Sequence, residues 1–285
     1  MIAQRVWWAA ASPGPYASQK MDLTDTTALV TGANRGIGRS ITEALAAQPL
    51  SLVLAGVRDP DAFEPIEPPP GGAGEVRPVR FDLSSREAID AGCDALGAQL
   101  ADIDLLVNNA GLMTGGLLEE QEIAEVYAMF QVNLVAVAHL TARVLPGMLQ
   151  RHRGKIVNNA SISGYAYFPS ASTYAASKAG VVALSESLRR ELRGTGVSVL
   201  HLVTPGVKTD MLEATEEVYG RHIDTSKWEK VAPEVWAAKV LAAIDKDANV
   251  LGPGGRTSLA KLASRGPAAL LDGVSRQMFS RTPRG

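Results

Sequence analysis

The sequence predicts an α/β domain in which a parallel sheet is covered by helices on both faces. Short apolar runs alternate with helical patterns along residues 27–251, which is how strands joined by crossover helices read. The second of these runs, 51–57, is uniformly apolar, as a strand buried on both faces should be. The first of them passes through a glycine-rich turn straight into a helix. There is no internal repeat and no second core. One domain is therefore expected at 23–255, between an N-terminal extension (1–22) read as disordered and a basic C-terminal tail (256–285).

The elements follow in order. Residues 27–30 form a strand, and Ile37, Ile41, Ala44 and Leu45 share one face of a helix over 36–47 that Pro49 closes. A second strand covers 51–57. The stretch 59–74, with Pro65, Pro68, Pro69 and Pro70, is a surface loop holding at most a short helix, because prolines remove backbone donors. A third strand, 76–81, ends at Asp82, and Ser84 or Ser85 caps a helix running to about Leu100. Residues 105–107 form a strand ending in Asn108-Asn109-Ala110-Gly111. A long helical region over 123–151 is expected to bend near Asn133. A fifth strand covers 156–158, a helix containing Tyr174 runs to about Arg193 and stops at Gly194-Thr195-Gly196, and a sixth strand covers 197–203. Residues 207–230 are polar and mixed, as in a mobile lid, before a helix from Pro233 and a seventh strand at 249–251.

Composition narrows the function. The chain has 285 residues and a formal net charge of −2, but Arg5 and Lys20 in 1–20 and six basic residues against Asp272 alone in 256–285 leave the body more acidic than that. An acidic body argues against nucleic acid as a partner. Cys93 is the only cysteine, so no internal disulfide can form, and a reducing, cytoplasmic setting is expected. No apolar run approaches the ~18 residues of a membrane span, and the run 6–11, short and soon followed by Pro13-Gly14-Pro15, makes a poor signal peptide and is read instead as part of a disordered extension. The tail mixes leucines with Lys261, Arg265 and Arg276, but Gly266-Pro267 breaks it, so docking or disorder is favoured over membrane contact. His139, His152, His201 and His222 share no ligand spacing, and no metal site is expected.

Two stretches carry chemistry. Gly32, Gly36 and Gly38 between strand and helix suit a dinucleotide pyrophosphate, since the helix N-terminus offers unpaired N–H groups and positive dipole. Arg58 after the second strand and Arg35 in the turn favour NADP over NAD, because guanidinium matches a 2′-phosphate. The competing reading lets Asp59 select the ribose hydroxyls of NAD. The second stretch places Ser161 thirteen residues before Tyr174, and Lys178 four after it. On a helix, Tyr174 and Lys178 share a face, and a fixed ammonium lowers a phenol pKa from ~10. Such a phenol can exchange a proton with an alcohol oxygen. Taken alone, the pair is more often a packed tyrosine beside a surface lysine.

Together, the turn Thr31 to Gly38, Asp82, Asn108 to Gly111, Asn133, Ser161, Tyr174 with Lys178, and Pro205-Gly206 with Thr209 resemble the short-chain dehydrogenase/reductase family over about 24–252. The resemblance implies a Rossmann-type, doubly wound, seven-stranded parallel sheet and a nicotinamide-dependent oxidoreductase of carbonyls or secondary alcohols. It makes Tyr174 the general acid or base, Lys178 the residue that lowers its pKa and holds the nicotinamide ribose, Ser161 the substrate grip, and Asn133 the holder of a water leading to solvent. It sets Asn34, Ile37, Asp82, Leu83, Asn109, Ala110, Gly111, Pro205, Gly206, Val207 and Thr209 along the cofactor, the last four near the nicotinamide. It also implies a homodimer or homotetramer. Tyr165, Tyr167 and Phe168, between serine and tyrosine, are expected at a largely apolar substrate pocket, with Tyr167 and Phe168 as contacts. A non-catalytic NADP-binding sensor or scaffold is the rival, and the intact Ser161, Tyr174 and Lys178 argue against it. Epimerisation or dehydration is disfavoured because no sizeable C-terminal substrate domain is present.

Overall fold

The computed structural model describes residues 21–225, 228, 230–254 and 279–282. Most of the expected disordered extension (1–22) and of the basic tail (256–285) lies outside the described residues. The chain runs β1 (Thr27–Thr31), α1 (Gly36–Ala46), β2 (Leu52–Val57), β3 (Val76–Arg80), α2 (Arg86–Leu96) and β4 (Ile103–Asn108). It continues with α3 (Ile123–Phe130), α4 (Ala136–Arg151), β5 (Gly154–Asn159), α5 (Ser172–Glu191) and β6 (Val197–Leu202). Then come β7 (Gly206–Val207), α6 (Asp210–Gly220), β8 (Lys230–Val231), α7 (Pro233–Asp245) and β9 (Val250–Leu251).

Alternate strand residues point to opposite faces, and here each face has its own core. Ala28 and Val30 of β1 pack with Ile41 and Leu45 of α1 and with Trp236, Val240 and Ile244 of α7. Leu29 faces the other way, with Ile89 of α2 and Leu140, Val144 and Met148 of α4. The seven-stranded sheet is parallel throughout, in the order β3-β2-β1-β4-β5-β6-β9. The order reverses between β1 and β4, and in open α/β sheets ligands bind in the crevice outside the strand C-termini at that point. The fold is the doubly wound Rossmann-type sheet that the sequence predicts.

Local differences have local causes. Helix α2 ends at Leu96 rather than near Leu100, because Gly97 turns to φ +54° and a 3-10 segment, Gly97–Asp102, follows. The long helical region is broken into α3 and α4 by a π turn, Gln131–Val135, which contains Asn133. By length and composition the span Ile123–Arg151 is apolar enough to cross a membrane, contrary to the expectation of no such run. Here Ala136, Leu140, Val144 and Met148 pack it against the sheet. The proline-rich stretch holds one 3-10 turn, Pro60–Ala62, and is tied down. Phe63 and Ala73 are buried beside α1, and the Arg39 guanidinium lies 5.3 Å from the Phe63 ring centre.

The expected lid is more ordered than a polar loop. It contains α6, capped by the Thr209 side chain accepting from Leu212 N, and the β7–β8 pair, which forms a second, two-stranded sheet. Strands of two residues are too short to leave a periodic pattern, and that is why they were not visible in the sequence.

Candidate active site

The glycine turn is shaped by close approach. Gly32 has φ +67°, a region that L side chains rarely adopt. A Cβ on Gly38 would lie 2.0 Å from the Gly32 carbonyl oxygen and 2.5 Å from Asn109 Nδ2, so nothing larger than hydrogen fits between α1 and β4. Helix α1 starts after Arg35 with no side-chain cap and no acid in its first turn. Its N–H groups and dipole therefore face the crevice without a competing carboxylate. These features fit a dinucleotide pyrophosphate.

At the C-terminal end of β2, Arg58 is exposed. Asp59 is turned into its own loop: its carboxylate accepts from Asp61 N at 3.3 Å and lies 3.9 Å from Arg80 Nη2. Arg80 also donates to the Arg58 carbonyl at 2.9 Å, an arrangement that sequence reasoning missed. Arg35 reaches to 3.9 Å of Asp210 on α6. Asp82 accepts from Ser84 N at 3.0 Å, and the Leu83 carbonyl accepts from Gln131 of the π turn at 3.2 Å.

A polar ladder crosses the C-terminal ends of the central strands. Thr31 Oγ1 accepts from the N–H groups of Asn109 and Ala110 at 3.0 and 3.1 Å, and Asn109 Nδ2 donates to the Thr31 carbonyl at 3.1 Å. Asn159 Nδ2 donates to Asn109 Oδ1 at 3.0 Å, and Thr204 Oγ1 donates to Asn159 Oδ1 at 2.5 Å. This ladder holds β1, β4, β5 and the end of β6 in one relation. Asn159 and Thr204 escaped the sequence reading, although the doublet Asn158-Asn159 repeats Asn108-Asn109 on the neighbouring strand and offered the signal.

Ser161, Tyr174 and Lys178 come together at the end of β5 and the start of α5. All three are buried, at 7%, 8% and 5% exposure. Ser161 and Tyr174 share a hydrogen bond, and Ser161 Oγ also accepts from Ser163 N at 3.1 Å. Lys178 Nζ lies 5.9 Å from the centre of the Tyr174 ring and donates to the Asn159 carbonyl at 2.8 Å. Burial pushes the Tyr174 phenol up to about 12, and the hydrogen bond from Ser161 draws it back only in part. Burial likewise pushes Lys178 down to about 8. The expected lowering of the phenol by the ammonium is thus overridden by desolvation, which disfavours both charged forms.

Asn133 is fully buried, and its side chain is fastened. Its Oδ1 accepts from Leu112 N at 2.7 Å, and its Nδ2 donates to the Leu112 carbonyl at 2.8 Å and to Ser177 Oγ at 3.1 Å. Ser177 in turn donates to the Tyr174 carbonyl at 2.8 Å. The amide therefore locks the segment after β4 onto α5. Gly111 sits between: a Cβ there would lie 3.2 Å from Asn133 Oδ1 and 3.6 Å from Lys178 Nζ.

The remaining residues spread around this centre. Thr209 packs on the glycine turn, its methyl 3.1 Å from where a Gly36 Cβ would be. Pro205 and Val207 are buried and Gly206 partly so. Tyr167 is 61% exposed, and Phe168 is half-buried. Tyr165 turns away from the expected substrate pocket: its hydroxyl lies 2.7 Å from Nε2 of the buried His201. Among the described residues no three His, Cys, Asp or Glu side chains gather as a metal would need.

Residues 26–220 match the model of the short chain dehydrogenase family. The chain belongs to that family. It is accordingly a nicotinamide-dependent oxidoreductase of the C=O/CH–OH type. The 3-oxoacyl-(acyl-carrier-protein) reductase FabG of Haemophilus influenzae is 35% identical over 187 residues, 65% of this chain and 76% of that protein. Ketoacyl reductase HetN of Nostoc sp. is 34% identical over 65% of this chain, which spans 64% of the relative's length. Among solved structures, a short chain dehydrogenase from Burkholderia cenocepacia in complex with NADP superposes with a TM-score of 0.76 at 26% identity, covering 90% of this chain and 99% of that one. One from Sphingobium yanoikuyae in complex with NADPH gives 0.67 at 26% identity, covering 88% and 94%.

Proposed function

We propose that this dehydrogenase reduces a hydrophobic ketone or aldehyde with NADPH, or runs the reverse oxidation, with Tyr174 passing the proton. The observation that carries the reading is the buried cluster of Ser161, Tyr174 and Lys178 beside the crevice where the strand order reverses. The nicotinamide group, when bound, supplies or accepts the hydride. Gly32, Gly36, Gly38 and the N-terminus of α1 would hold the pyrophosphate, Asp82, Leu83 and Asn109 the adenosine, and Lys178 the nicotinamide ribose. Ser161 orients the substrate oxygen and stabilises the charge it gains. Tyr174, with a pKa pushed up to about 12, stays protonated at neutral pH and is poised as an acid. The Lys178 ammonium then stabilises the phenolate left behind. Leu112, Tyr167 and Met211, all large, apolar and partly exposed, support a hydrophobic substrate. The ketoacyl and 3-oxoacyl reductases among the relatives favour the reducing direction.

Absorbance at the reduced nicotinamide band, across a carbonyl panel with NADPH and NADH, tests this reading; no turnover of any carbonyl or alcohol with either would sink it. A rival sensor or scaffold role has no structural feature in its favour.

Two further outcomes are expected. Replacing Arg35 and Arg58 by alanine should weaken NADPH binding by about 10- to 100-fold, the worth of charge-assisted hydrogen bonds, and leave NADH nearly unaffected. Equal losses for both cofactors in titrations would return the selection to Asp59. In the reducing direction, turnover should fall as pH rises through about 8, because Lys178 loses its charge there while Tyr174 keeps its proton. The Lys178→Arg variant, charged at every assay pH, should flatten that fall whatever its absolute rate. A fall of the same midpoint in Lys178→Arg would assign it to another group.

The outer face of α3 and the π turn after it bears Ile123, Tyr127 and Val135 at 67%, 74% and 49% exposure. This apolar face supports self-association into the expected dimer or tetramer, which sedimentation would count. The single buried cysteine supports a cytoplasmic setting.

A further inference from the structure

Tyr219 lies on the last turn of α6 yet is 1% exposed. Its ring fills the space that a side chain at residue 115 would need: a Cβ on Gly115 would fall 1.8 Å from Tyr219 Cε1. Its hydroxyl donates to the Thr114 carbonyl at 3.3 Å, and Trp228 meets its ring edge-on, with centres 6.1 Å apart. The 114–116 strip is tied to the start of α5. Gly116 N donates to the Ser170 carbonyl at 2.9 Å, while Gln121 bridges the Gly116 carbonyl and the Thr173 hydroxyl, next to Tyr174. Burial, and secondarily the nearness of Tyr174, push the Tyr219 phenol upward.

Something holds α6 in this position. The described C-terminal residues 279–282 return to the end of α6, where Phe279 makes an antiparallel bridge with Ile223. Ser280 N donates to the His222 carbonyl at 2.9 Å, and the His222 ring, 1% exposed, stacks obliquely on Phe279 and lies 2.9 Å by Nδ1 from the Ser280 carbonyl. Arg281 pairs with Glu119, on the 3-10 turn Leu118–Glu120 that follows the 114–116 strip on which Tyr219 packs. The N–H groups of His222 and Ile223 both donate to the Tyr219 carbonyl, at 2.9 and 2.8 Å. The C-terminal segment thus grips the turn that anchors Tyr219.

We propose that Tyr219 is a specificity-determining residue whose ring closes the substrate side of the Tyr174 site, and that residues 279–282 strap it in place. The proposal rests on the reading of Tyr174 as proton donor. The ring limits the bulk of the carbonyl substituent, and the strap keeps that limit strict. The test compares kcat/KM, with NADPH, for two ketones found in the carbonyl screen, one small and one with a bulky aryl group. Wild type, Tyr219→Ala, Tyr219→Phe and the chain shortened to end at Met278 are compared, with NADPH affinity and melting temperature confirming folded protein. Tyr219→Ala should move the ratio toward the bulky ketone by at least about tenfold, the size of a pocket-volume effect. Tyr219→Phe, which keeps the ring, should leave it within about twofold, since the hydroxyl points to a backbone carbonyl. The shortened chain should shift the ratio in the same direction as Tyr219→Ala with unchanged NADPH affinity. If the alanine variant fails to fold, Tyr219→Leu takes its place. A wild type that reduces both ketones, with the ratio unmoved in folded variants, overturns the role of Tyr219 alone. A wild type that reduces no carbonyl overturns the functional reading and this proposal with it.

Discussion

Tyr174→Phe should lose turnover by about 10²- to 10⁴-fold, the usual contribution of a positioned general acid, while binding NADPH nearly as the wild type does. The ring of Tyr174 is buried against its neighbours, and phenylalanine keeps that packing. What is lost is one proton and one hydrogen bond to Ser161. A loss confined to kcat, with cofactor affinity intact by fluorescence titration, would match an acid that acts only as charge develops on the substrate oxygen. Near-normal turnover would dismiss Tyr174 as proton donor and leave Ser161 or solvent in its place. A parallel drop in melting temperature would instead mark a packing role.

The second large effect is expected at Gly38. An alanine methyl there would stand 2.0 Å from the Gly32 carbonyl oxygen, a distance that no relaxation of one flexible side chain relieves, because the obstacle is backbone. The turn and the first turn of α1 must separate. That separation moves the N–H groups of α1 away from the crevice and strains the Asn109 amide, 2.5 Å from the same point, which donates to the Thr31 carbonyl. Gly38→Ala should therefore lose NADPH affinity by at least about 100-fold and lower stability by about 1–3 kcal/mol, as over-packing does. Calorimetric titration and a urea melt would measure both. Wild-type affinity in the variant would show that the turn does not carry the pyrophosphate.

The contrast between these two residues shows how legible the chain was. Gly38 could be read because the need for glycine between a buried strand and a helix is local, and the neighbours in sequence state it. The strand and helix alternation was readable for the same reason: apolar periodicity records which face is buried. Even the bend at Asn133 showed, since a polar amide amid an apolar helix is a local anomaly. Tyr165 misled because its position between Ser161 and Tyr174 says nothing about direction, and the structure aims it at His201 on β6. The lid at 207–230 misled because two-residue strands and a polar-faced helix leave no periodic trace.

Pair chemistry was the least readable part. A lysine one turn from a tyrosine gives, in water, a lowered phenol. Burial reverses this: desolvation penalises the phenolate and the ammonium alike, and holds Tyr174 near 12 and Lys178 near 8. The amount of water left at a site is a property of everything packed over it, including residues far away in the chain. Asn159 and Thr204 join the ladder at the strand ends through such long-range packing alone.

By itself, then, the sequence determined the doubly wound sheet, the glycine turn after β1 and the serine, tyrosine and lysine of the buried cluster, because each depends on contacts within a few residues or on one repeated period. The tertiary structure decided the polar ladder across four strand ends, the desolvation of Tyr174 and Lys178, and the burial of Tyr219 against residues 114 and 115. These depend on groups brought together over 45 to 162 residues of chain, such as Asn159 with Thr204 and Glu119 with Arg281. No local pattern records such meetings; they exist only once the sheet has set the distances.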